Sequence, residues 1–141
     1  MGERVIVRFE DAQGVTCGIY LHWHGSDARD WLIAAAPTLR KGDASYAAAR
    51  FCGYCHERIS GNLSLGILPP HQCEDEMAVF QDHGMLVVNC QTGLVRHIYG
   101  STEQAGTFQI EMGGERDDDV HQRSAGCAPA AARCRVCGVC L

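Results

Sequence analysis

The sequence predicts an α+β domain in which a small antiparallel sheet, two hairpins plus one or two strands, carries two helices on one face in the order ββααβββ. Period-two alternation of apolar and polar side chains opens the chain. Two stretches with three- and four-residue apolar spacing follow, and alternation returns beyond residue 62.

Arg4 to Phe9 and Val15 to Trp23 alternate with period two, and Asp11-Ala-Gln-Gly14 between them supplies turn residues, so a hairpin is expected. In its second strand Val15, Cys17, Ile19, Leu21 and Trp23 share one face, which should turn to the core. Thr16, Gly18, Tyr20, His22 and His24 share the other. Gly25-Ser26-Asp27 then reads as a helix start with a hydroxyl N-cap, and Pro37 stops that helix. Asp43 or Ser45 caps a second helix running through Ile59, closed by Gly61. Its apolar face is predicted to be Tyr46, Ala49, Cys52, Cys55 and Ile59. Leu63, Leu65 and Ile67 form a third strand that ends at Pro69-Pro70. Met85–Asn89 and Leu94–Tyr99 flank Gln91-Thr-Gly93 as a second hairpin, and Thr107–Met112 is a last edge strand.

The chain has 141 residues, enough for one domain, and at 46% hydrophobic and 21% charged it has the composition of a folding sequence. Its charge is unevenly placed. Residues 1–112 hold 13 Asp and Glu against 8 Lys and Arg, a balance of -5, whereas residues 113–141 hold 4 of each. The domain is therefore expected to span 1–112, with 113–141 as a flexible cysteine-rich tail: Gly, Asp, Ala, Arg and Cys there leave little large apolar surface to offset ordering entropy. An acidic domain with no basic run is poorly suited to binding nucleic acid directly. No export signal opens the chain and no apolar run approaches the roughly 18 residues of a membrane span, so a cytoplasmic location without membrane contact is expected. Nine cysteines in a reducing compartment read as buried thiols or metal ligands rather than as a disulfide framework.

Cys52-Gly-Tyr-Cys55-His56 matches the haem-attachment pattern, but its place inside an amphipathic helix, with no export signal, argues for ordinary core cysteines. The same pair with His71 and Cys73 approximates a zinc-ribbon spacing, and Cys127, Cys134, Cys137 and Cys140 offer four more thiolates. Zinc is thus the alternative to a chain with no cofactor, although His71-Gln-Cys73 lacks the usual two-residue gap. Tyr20, His22, His24 and Asp27 are the first choice for a contact surface, because aromatic and imidazole groups gathered at one strand end suit protein recognition. No phosphate-binding glycine loop, Gly-x-Ser-x-Gly or His-Glu-x-x-His string occurs, and a non-enzymatic role is expected.

The string Ile19-Tyr-Leu-His-Trp-His-Gly25, followed by a short helix, Tyr46-Ala-Ala-Ala-Arg-Phe-Cys52 and Leu63-Ser-Leu-Gly-Ile67, resembles a group of small hypothetical proteins of phages and prophages. The resemblance covers about three quarters of the chain. Its motifs are structural, and no catalytic residue is carried over. It implies an accessory protein that binds a host protein complex, in its sharpest form an inhibitor of host defence comparable with anti-CRISPR proteins. Homo-oligomerisation stays open.

Overall fold

The first strand, Val5–Glu10 (β1), runs through the middle of the sheet. The computed structural model describes residues 2–99 and 103–113. Thr16–Leu21 (β2) pairs antiparallel with β1, and Leu65–Leu68 (β3) antiparallel with β2. On the other side of β1 lies Met85–Asn89 (β4), then Leu94–Tyr99 (β5) and Glu103–Gln109 (β6), giving the order β3-β2-β1-β4-β5-β6. Between β2 and β3 the chain forms the helices Ala28–Ala35 (α1) and Ala44–Arg58 (α2).

The protein is α+β as expected, but the sheet is six-stranded and mixed rather than small and antiparallel, because β1 and β4 pair in parallel from Ile6 opposite Met85 to Glu10 opposite Asn89. The element order is ββααββββ rather than ββααβββ, with both of the strands beyond the two hairpins present. The last strand begins at Glu103 and ends at Gln109 instead of running from Thr107 to Met112. The tail expected over 113–141 lies, beyond Gly113, outside the described residues.

Alternation along β1 supplies two cores. Val5, Val7 and Phe9 face the helices, where they meet Ile19 and Leu21 of β2, Leu32 of α1 and Phe51 of α2. The Phe9 and Phe51 rings lie 5.7 Å apart at 56°, a tilted aromatic contact. On the opposite face Ile6, Met85 and Val87 are covered by the return segment from β3 to β4, which brings in Cys73 and Ala78 through two short 3₁₀ turns, Pro70–Gln72 and Asp75–Phe80. Gly18 makes room for that cover: a Cβ at this position would stand 3.0 Å from the Cβ of Cys73.

The predicted face of α2 is off by about one position, roughly 100° of helix rotation. Ala44, Ala47, Ala48, Phe51 and Cys55 are buried, whereas Tyr46 and Ala49 are exposed and Cys52 is half-buried. Phe51 takes the core position that Tyr46 was assigned. Tyr46 lies instead under the Arg40 guanidinium, 4.3 Å from its ring centre. The predicted Asp43 cap is present, its Oδ1 accepting from the Tyr46 amide at 3.1 Å, and Asp11 of the hairpin turn adds Oδ2 as acceptor for the Ala44 amide at 2.7 Å. At α1 the hydroxyl cap does not form: Ser26 Oγ donates instead to Glu3 Oε1 at 2.6 Å, and Asp27 makes no side-chain cap.

Arg8 fastens the return segment. Its side chain points away from the helices and is almost fully buried, at 8% exposure. Nε donates to Glu10 Oε2 at 3.1 Å, and Nη1 donates to the Cys73 carbonyl at 2.9 Å and pairs with Asp75 Oδ1 at 2.7 Å. Arg8→Ala should lower stability by about 2 kcal/mol, below the cost of breaking a fully buried pair because Asp75 faces solvent. Amide hydrogen exchange should quicken over residues 70–80 more than in α2, and unfolding in urea measures the loss. Asp43→Ala should cost about 1 kcal/mol by the same measurement, through loss of the α2 cap.

Candidate functional site

β2 ends at Leu21, and the chain bends at His22 and Trp23 before entering α1. The bend ends the alternation. Trp23, predicted on the core face, therefore stands 40% exposed, and His22 and His24 do not project side by side. His22 turns to Tyr20 on the face away from the helices, its Nδ1 hydrogen-bonded to the Tyr20 hydroxyl at 2.7 Å. Burial raises the Tyr20 hydroxyl above its usual pKa. His24 stacks on Trp31 of α1 with ring centres 4.9 Å apart, while its Nδ1 donates to Asp27 Oδ2 at 3.2 Å. Trp23 packs edge-on to His22 at 4.4 Å. The four predicted contact residues thus form two pairs, Tyr20 with His22 and His24 with Asp27, with Trp23 between them.

This turn is held by residues with no local sequence signal. Glu3 donates its amide to the His22 carbonyl and accepts the Gly25 amide on its own carbonyl, both at 2.7 Å. Its carboxylate takes the Ser26 hydroxyl and lies 3.9 Å from His83 Nε2, and the Ser26 hydrogen bonds, with smaller help from His83 and His24, hold its pKa below the usual carboxylate range. Gly25 is required by close approach. A Cβ there would collide with the Glu3 carbonyl and the His83 ring. His97 Nε2 in turn donates to the His83 carbonyl at 2.9 Å. Beside them Arg4 clasps Asp82 with its backbone amide and with Nε, both at 3.0 Å to Oδ2, which pulls the Asp82 carboxyl down to about 2. Glu3 and Arg4 reach this turn through the register of the β1–β2 hairpin, whereas Asp82 and His83 are far away in sequence and only the strand order brings them there.

The zinc alternative does not find its ligands assembled. Cys55 is buried in the helix-side core and Cys73 in the core on the other face of the sheet, with β-strands between them; His71 is exposed in its own turn. Among the described residues no three His, Cys, Asp or Glu side chains are grouped around a common point. Cys127, Cys134, Cys137 and Cys140 lie outside the described residues. Burial raises the thiols of Cys17, Cys52 and Cys73 and pushes those of Cys55 and Cys90 to about 12, the reverse of what thiolate chemistry needs. Among the described residues no helix is long and apolar enough to cross a membrane. No family model matches the chain, and comparison with curated proteins and with solved structures finds no match.

Two measurements check this picture. In the folded protein Cys55, Cys73 and Cys90 should resist alkylation at mildly alkaline pH and react fully only in denaturant, as read by peptide mass mapping. The Asp82 carboxyl should titrate near 2 by NMR and return toward the usual carboxylate range in Arg4→Met. Because its folded pKa is the lower one, the pair contributes stability above the ordinary carboxylate range, and that contribution is lost as pH falls through about 2.

Proposed function

We propose that this protein is a non-enzymatic protein-binding module whose contact surface is the β2–α1 turn, with Trp23 and Asp27 exposed and Tyr20, His22 and His24 half-buried as their support. One observation carries the reading: an exposed tryptophan stands in a turn pinned by Glu3 and Gly25, so that a large amphipathic ring is presented from a rigid base. Such rings dominate binding energy at protein interfaces, and a preordered base lowers the entropy lost on association. Burial raises the pKa values of the Cys52, Cys55 and Cys90 thiols, which makes them poor nucleophiles and supports the non-enzymatic reading.

The partner favoured by the resemblance to phage and prophage proteins is a host protein complex, in a cytoplasmic setting, and the sharpest form of the proposal is an inhibitor of a defence complex. The -5 balance of residues 1–112 supports this, because an acidic surface can occupy a basic channel that otherwise receives nucleic acid.

Affinity capture from host lysate with the full chain should retain a specific complex, and Trp23→Ala combined with His24→Ala should weaken retention by roughly ten-fold or more. The melting temperature should fall modestly, since Trp23 is 40% exposed and His24 stacks on Trp31, while NMR spectra should still report the intact fold. Retention unchanged in the double variant would remove this turn as the contact surface.

A further inference from the structure

A second exposed apolar feature lies on the sheet face away from the helices. In the 3₁₀ turn Asp75–Phe80 side chains three apart fall in one row, so the turn has three rows with different fates. Ala78 points into the core with Ile6 and Met85, and Asp75 reaches Arg8 at the base of the turn while its side chain stays 54% exposed. Met77 is half-buried, and Phe80, in its row, emerges to 61% exposure. Glu76 and Val79 form the outer row, Val79 at 48% exposure. The result is an apolar ridge of Val79 and Phe80 on a turn anchored from beneath by a buried arginine.

The charges beside the ridge that lack a partner of opposite sign are both acidic. Glu74 and Glu76 are exposed and, among the described residues, have no cationic partner, whereas Asp75 is met by Arg8 and Arg96 and Asp82 by Arg4. This rim selects the occupant. A second copy would bring the same carboxylates against it, and nucleic acid or an anionic membrane would be repelled as well. A polypeptide segment that presents apolar side chains for Val79 and Phe80, flanked by Lys or Arg for Glu74 and Glu76, fits both the shape and the charge.

We infer that the Asp75–Phe80 turn is a docking ridge for a basic, amphipathic segment of a protein partner. This rests on the reading of the chain as a protein-binding module, and it adds the chemical class of the partner and a surface separate from Trp23.

The test is titration of the isotope-labelled full chain with a synthetic amphipathic peptide of leucine and lysine, followed by amide chemical shifts. A leucine–glutamate peptide of the same pattern is the control. Shifts should concentrate on residues 74–82 and weaken with salt, and the glutamate peptide should produce none there. Glu76→Lys, and separately Phe80→Ser, should each weaken binding by roughly ten-fold, with spectra that report an intact fold because both side chains are exposed. Trp23→Ala should leave the titration unchanged. Equal shifts with both peptides, shifts placed elsewhere, or affinity unaltered in both ridge variants would overturn the inference. Loss of captured partner in the Trp23 and His24 double variant, with no response to the lysine peptide, would leave the module reading standing and remove this one alone.

Discussion

β1 must be buried on both faces and hydrogen-bonded on both edges at once, and the rest of the structure answers to that demand. Its residues Val5, Ile6, Val7, Arg8 and Phe9 are all buried. A two-stranded hairpin would leave one edge open, so β4 returns in parallel to close it, and only a long connection can deliver a strand in that direction. Residues 11–84 are that connection. They supply the two helices for one face and the 3₁₀ turns for the other.

Arg8 is the one charged side chain on β1 that points into this interior, and its position explains why the return segment has a fixed path. A guanidinium taken out of water needs acceptors, and Glu10, the Cys73 carbonyl and Asp75 provide them at 2.7 to 3.1 Å. Hydrophobic cover from Cys73 and Ala78 alone would not define which residues of the turn face outward. The arginine does, and so the exposure of Val79 and Phe80 follows from a contact made on their opposite side.

The same logic governs the β2–α1 turn. Trp23 is exposed because β2 stops at Leu21, and the stop is enforced by Glu3, whose amide and carbonyl take the His22 carbonyl and the Gly25 amide in a tight exchange. Ser26 is drawn to the Glu3 carboxylate and so is lost to α1 as a cap. The helix gives up about 1 kcal/mol of capping, and the turn gains a fixed geometry for the aromatic side chains.

By itself the sequence determined the local elements: the β1–β2 hairpin, the Asp43 cap of α2, the β4–β5 hairpin and the inward row Cys17, Ile19 and Leu21, because each is set by side-chain period or by turn and cap chemistry within a few residues. It also marked Tyr20 to Asp27 as a place of interest, though not the division into two pairs with an exposed Trp23 between them. The tertiary structure alone decided the parallel pairing of β1 with β4, the rotation of α2 that buries Phe51 in place of Tyr46, the separation of Cys55 from Cys73, and the support of the turn by His83. These depend on contacts between residues tens of positions apart, for which periodicity carries no information: an alternating strand has the same pattern whichever neighbour it pairs with, and a helix with small residues on two adjacent faces is oriented by the partner that offers the better-filled core.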